Sequence, residues 1–140
     1  MSEMDLEIFA KEPWMATASD GEISIPSDNP LRLHARYYGT FPKKIRHFAL
    51  NEKILSLEQA IVSMTSLPAQ IMDIKDRGLL KEGYFADLVM FDEKTIQDKS
   101  TFFDIHQYPE GIPHVLVNGQ FVVRDFQLTK QRPGRLLRKK

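Results

Sequence analysis

At 140 residues the chain has room for one ordinary domain with a modest core, and is too short for a complete barrel enzyme of typical size. Its 19 basic and 19 acidic side chains cancel, which excludes the broad field that draws nucleic acid or anionic lipid. It has no cysteine, which excludes a disulfide framework, a thiolate metal site and a cysteine nucleophile.

The first stretch places Met4, Leu6, Ile8 and Phe9 at amphipathic spacing and predicts a short helix ended by Pro13. It carries acidic groups and no long apolar run, so neither a signal peptide nor a membrane span is expected, and the reading is a cytoplasmic protein. Trp14 to Ala18 is apolar and runs into Ser19-Asp20-Gly21, which predicts a buried strand stopping at a turn. Glu22 to Tyr38 is punctuated by Pro26, Asp28, Asn29 and Pro30 and reads as a long irregular loop.

Phe41 to Leu50 has Ile45, Phe48 and Ala49 at helical spacing. Ser56-Leu57-Glu58-Gln59 is a capping box, and the helix it starts carries Leu57, Ala60, Ile61 and Met64 on one face. Pro68 is expected to open another short helix, stopped by Gly78. Asp87 to Phe91 is a short apolar run that suits a buried strand. Val115-Leu116-Val117 and Phe121-Val122-Val123 flank Asn118-Gly119, the pair that accepts positive φ in a type I′ turn, and predict a hairpin. From Lys130 onward the chain is basic, with Arg135, Arg138, Lys139 and Lys140, and reads as a solvated tail over the surface.

Lys81-Glu82-Gly83-Tyr84-Phe85-Ala86-Asp87-Leu88-Val89-Met90-Phe91-Asp92, followed by Val115-Leu116-Val117-Asn118-Gly119, is similar to the closing strands of many amidohydrolases, where the chain returns from the barrel to a small β-sandwich. Five narrower motifs follow in order: Ser19-Asp20-Gly21; His34-Ala35-Arg36 with Tyr38-Gly39-Thr40-Phe41-Pro42; Met64-Thr65-Ser66-Leu67-Pro68-Ala69; His106-Gln107-Tyr108-Pro109-Glu110-Gly111; and Arg132-Pro133-Gly134-Arg135. Together they resemble the D-aminoacylase (N-acyl-D-amino-acid deacylase) family of metal-dependent amidohydrolases. The resemblance covers nearly all of this chain and only the last quarter or so of such an enzyme. Ala35 departs from the family, which often has proline there; proline would shape the loop and supply no reacting group.

The resemblance implies an α/β fold: the last strand and covering helices of a distorted TIM barrel over residues 1–80, then strands of the accessory small β-sandwich and the tail over 81–140. It implies hydrolysis of the amide of N-acyl-D-amino acids with zinc in the intact enzyme. The His-x-His pair, cysteine and further histidines that hold the zinc would lie upstream of Met1. By resemblance Asp20 is the general acid/base, taking a proton from metal-bound water and delivering it to the leaving amine, and in the intact enzyme it also touches the metal. The pattern alone leaves it a turn aspartate. Arg36 is the candidate for the substrate carboxylate, since a planar fork of donors suits bidentate recognition; the alternative is a surface salt bridge. His34 and Gly39 are placed at the same substrate site. His47, His106 and His114 lack the spacing of a metal site and read as structural.

Without those ligands the chain alone is expected to hold no metal and to be inactive. A second expectation, of a different class, is a non-catalytic fragment or module that self-associates or binds a partner chain, because a strand taken from a barrel leaves unpaired edges. No nucleic-acid or membrane partner is expected.

Overall fold

The computed structural model describes residues 3–21 and 33–138. The N-terminal helix α1, Glu3–Lys11, forms as expected. Residues 14–18 do not form the expected strand. An extended apolar run becomes a strand only when another backbone pairs with it. Here Thr17 instead bonds to Ser63, its amide donating to the Ser63 carbonyl at 2.8 Å and the two hydroxyls lying 3.0 Å apart. Most of the expected loop, residues 22–32, lies outside the described residues. Its last part is helical, because α2, Arg36–Lys43, starts ahead of Tyr38.

The helix expected from Phe41 is therefore longer and changes register. Pro42 inside α2 contributes no N–H, and Lys44–Asn51 continues in the wider π form. Lys44 is buried there, and desolvation pushes its ammonium below the ordinary lysine range. Helix α3, Leu57–Met64, opens with the predicted capping box: Ser56 Oγ accepts from the Gln59 amide at 3.1 Å, and Gln59 Oε1 from the Ser56 amide at 2.8 Å. Helix α4, Ser66–Ile71, begins before Pro68 and ends well short of Gly78. Gly78 instead holds a turn behind α4 at φ +80°, where a Cβ would stand 2.8 Å from that of Ala69.

Strands β1 (Leu88–Met90), β2 (His114–Val117), β3 (Gln120–Arg124) and β4 (Gln127–Leu128) make one antiparallel sheet in that order. The β2–β3 hairpin turns at Asn118 and Gly119, with φ of 49° and 77°. β1 was expected to be buried, but it is an edge strand, and Val89 and Met90 are both exposed. Ala49, Leu55 and Ala60 form a buried cluster to which Ala10, Phe48, Ile54 and Met64 add their faces. Helices and sheet face each other across an apolar cavity of about 580 Å³, lined in part by Phe41, Ile45, Met64, Val89, Ile96 and Val115.

Arg77, its side chain only 10% exposed, ties this arrangement together. Its guanidinium donates to Asp87 at the start of β1 and to Asn118 Oδ1 at the hairpin, and stacks 4.2 Å over the Phe85 ring. Asn118 Nδ2 also donates to the Pro133 carbonyl at 2.6 Å. The tail is thus held to the hairpin and does not simply hang over the surface. Its last residues, 139–140, lie outside the described residues.

Candidate functional site

Two local structures meet at the site. The first is the Ser19-Asp20-Gly21 turn, in which Asp20 adopts φ 49° and Ser19 Oγ accepts the Gly21 amide at 3.2 Å. A short polar side chain tolerates that left-handed backbone better than most, because it can bond locally. The second is the first turn of α2. His34 Nδ1 accepts the Arg36 amide at 3.0 Å, and Thr40 Oγ1 donates back to the Arg36 carbonyl at 2.8 Å. Both bonds satisfy backbone groups near the helix start, and the first makes Nδ1 the unprotonated nitrogen of His34.

The turn lies against this helix start, since a Cβ at Gly21 would stand 3.3 Å from Tyr37 Cα. Across the contact Arg36 Nη2 donates to Asp20 Oδ2 at 2.6 Å. The Asp20 side chain is 82% exposed and that of Arg36 44%, so the pair is open to water and contributes well under ~1 kcal/mol to stability. A guanidinium that can be reached from solvent can exchange one carboxylate for another. The turn's carboxylate, paired with that guanidinium on one side, is otherwise open to water.

Three of the four residues singled out from the sequence, Asp20, Arg36 and His34, thus converge. The fourth, Gly39, is buried one turn further on, where a Cβ would meet Asp98 Cβ at 3.4 Å. It is a close-packing position between α2 and the loop of residues 97–110. That loop was not foreseen as part of the site, although its His106-Gln107-Tyr108 motif was visible. His106 Nδ1 lies 3.0 Å from the Tyr38 hydroxyl, and the rings of His106 and Tyr108 meet that of Tyr38 edge-on. The Phe102 ring stands edge-on to His34, with centroids 4.9 Å apart. His47 and His114 lie away from this cluster in structural contacts, His47 edge-on to Phe48 and His114 to Phe121.

Asp20 is a single carboxylate already engaged by a guanidinium. Among the described residues no group of three or more histidine, cysteine, aspartate or glutamate side chains could hold a metal ion. The described residues therefore do not by themselves fit a metal. No described helix is long and apolar enough to cross a membrane.

A model of the amidohydrolase family matches residues 6–123. The D-aminoacylase of Alcaligenes xylosoxydans xylosoxydans is 41% identical over 138 residues, 98% of this chain and 27% of that protein. A crystal structure of a D-aminoacylase superposes with a TM-score of 0.84 at 36% identity, over 94% of this chain and 27% of that one. The N-acyl-D-glutamate deacylase of Bordetella bronchiseptica, solved with zinc and a phosphonate mimic of the tetrahedral intermediate, gives a TM-score of 0.78 at 34% identity over 87% of this chain and 25% of that one. The chain spans about a quarter of the length of these relatives.

Proposed function

We propose, from the premise that this chain belongs to the amidohydrolase family, that it is the C-terminal segment of an enzyme hydrolysing N-acyl-D-amino acids, and that Asp20 is the acid/base group of the reaction. Residues 1–80 are read as the end of its catalytic barrel, and residues 81–140 as strands of its accessory β-sandwich with the tail. The observation that carries this reading is the 2.6 Å contact between Arg36 and Asp20. It puts a donor fork suited to an α-carboxylate beside a carboxylate suited to proton transfer, which are the two charges an N-acyl amino acid needs at its two ends.

Asp20 accepts a proton from the water whose oxygen attacks the amide carbonyl. As the C–N bond breaks it delivers that proton to the departing nitrogen. The products are a carboxylic acid and a D-amino acid. Arg36 holds the α-carboxylate, and His34 keeps the Arg36 backbone in place through its Nδ1 contact. Zinc belongs to the assembled enzyme, where groups outside this segment would hold it and Asp20 would also touch it.

The test is release of free amine from N-acetyl-D-amino acids in the presence of zinc, by the purified chain and by the chain mixed with a D-aminoacylase lacking its matching C-terminal quarter. Activity is expected only in the mixture, and Asp20→Asn should lower it at least ~100-fold. A mixture as active with Asp20→Asn as without it removes Asp20 from the chemistry.

A second reading rests on the exposed edges. β1 and β4 both bound the sheet, and Val89, Met90 and Leu128 are exposed on them. Left uncovered, these edges and the 580 Å³ cavity favour pairing of the isolated chain with another copy or with a partner polypeptide.

A further inference from the structure

The Asn118-Gly119 pair is fixed by more than its turn. Arg77 Nη2 donates to Asn118 Oδ1 at 2.5 Å, and Asn118 Nδ2 donates to the Pro133 carbonyl at 2.6 Å. The Asn118 backbone amide donates to Asp87 Oδ1 at 2.7 Å, and the Gly119 amide to the Ala86 carbonyl at 2.9 Å. The guanidinium is itself anchored, on Asp87 and over the Phe85 ring. A donor at Oδ1 and an acceptor at Nδ2 leave the carboxamide one orientation, because turning it over would set N–H against guanidinium and carbonyl against carbonyl.

The same atoms are those of a self-reaction. An asparagine followed by glycine is open to attack by its own chain, because no Cβ on the next residue shields the backbone nitrogen. The Gly119 nitrogen forms a bond to Asn118 Cγ and gives up its proton, the Cγ–Nδ2 bond breaks, and ammonia leaves carrying that proton. Water then opens the cyclic imide at either carbonyl, leaving a carboxylate on an aspartyl or isoaspartyl link. Water is the only other reactant. In the fold the Gly119 N–H is engaged by Ala86, and the carboxamide cannot swing toward that nitrogen without leaving Arg77 and Pro133. The reaction therefore runs through a local opening of the hairpin, whose population sets its rate.

We propose that Asn118 is a deamidation site kept latent by Arg77, and that its conversion to a carboxylate frees the chain beyond Pro133 from the hairpin. A carboxylate has no proton to donate, so the Pro133 carbonyl loses its partner and faces another acceptor. The new charge also lies beside the Asp87 carboxylate, which the same guanidinium must then serve. Residues 135–138, which border a cavity of about 350 Å³ with Asp73, Lys75 and Phe85, lose the tie at Pro133.

The experiment incubates the full chain at mildly alkaline pH beside a peptide of residues 115–122, and follows loss of the amide by mass spectrometry in the wild type and in Arg77→Lys. An ammonium is a single point that cannot serve Asp87 and Asn118 together as the guanidinium fork does. The wild type is expected to convert at least about tenfold more slowly than the peptide, and Arg77→Lys about tenfold faster than the wild type. Urea below the unfolding transition should also speed the wild type, which reads the opening in a protein with no substitution. Conversion of the wild type at the peptide's rate overturns the latency. So does a rate indifferent to Arg77→Lys in a variant that keeps the wild-type amide spectrum; if that variant does not fold, the urea series decides, and a flat rate overturns it. The product is read in Asn118→Asp by nitrogen-15 relaxation of residues 134–138. Their order parameters should lie near those of the sheet in the wild type and fall into the flexible range in the variant. Unchanged order in Asn118→Asp, or a wild-type tail as mobile as the variant's, overturns the release.

Discussion

Gly111 lies so close to Ile96 that a Cβ on it would stand 2.3 Å from the Ile96 amide nitrogen. No side chain fits at that distance from backbone, and the φ of +76° disfavours one in any case. Ile96 is itself fully buried, so the neighbour has nowhere to move. This contact closes the neck of the loop that carries Phe102, His106 and Tyr108.

Gly111→Ala should therefore destabilise the chain by about 3 kcal/mol or more, from overpacking added to backbone strain. Gly119→Ala is the control. It has nearly the same φ, +77°, and nothing within 4 Å, so it should cost only about 1–2 kcal/mol of conformational strain. Urea unfolding of both variants checks this, and equal losses would mean that the close approach to Ile96 contributes nothing.

The capping box makes a prediction that can be read by pH. Ser56→Ala should cost about 1 kcal/mol by removing the acceptor for the Gln59 amide. Glu58, fully exposed in the same first turn, has its carboxyl held below the ordinary glutamate range by its own backbone N–H and, second, by the Ser56 side chain. A depressed carboxyl pKa means that the associated stabilisation is present above the unfolded value and is lost as pH falls through the folded one. In Ser56→Ala the Glu58 carboxyl should titrate closer to its ordinary value. A carbon-13 titration of that carboxyl in both proteins decides the point, and coincident curves would remove Ser56 from its environment.

Self-association follows from the uncovered edges. In sedimentation the isolated chain is expected to show a concentration-dependent species heavier than one copy. Met90→Lys, which places a charge on exposed β1 next to the apolar cavity wall, should shift the distribution toward the monomer. A single monomeric boundary at all concentrations would count against the second reading.

The elements legible in the sequence are those with local causes. The Ser56–Gln59 box and the Asn118-Gly119 turn each act within four residues, and both formed as expected. Trp14 to Ala18 failed as a strand because a strand is defined by its partner, and among the described residues its amides bond singly to separate places, Met15 to the Glu12 carbonyl and Thr17 to that of Ser63 at the end of α3. The widening to π register after Pro42 has no compositional mark that separates it from an ordinary helix. At the site, the motifs naming Asp20, His34 and Arg36 were visible one by one, but the contact between Asp20 and Arg36 crosses 16 residues of sequence. Tyr38 and His106 are 68 apart, a distance at which spacing carries no information and only the fold decides.

The Arg77 guanidinium has a further consequence for the order of assembly. It finds Asp87 ten residues ahead but Asn118 only 41 residues ahead, and Asn118 then reaches forward to Pro133. As the chain emerges from a ribosome, the turn behind α4 cannot complete its polar contacts until the hairpin has followed it out. The segment around Arg77 thus waits for nearly the whole C-terminal half, and contacts of such sequence separation are slow to close. Once closed, the Arg77 side chain joins three stretches of backbone and that of Asn118 adds the tail as a fourth, so fraying of the tail is transmitted through Asn118 to the hairpin and on to the start of β1.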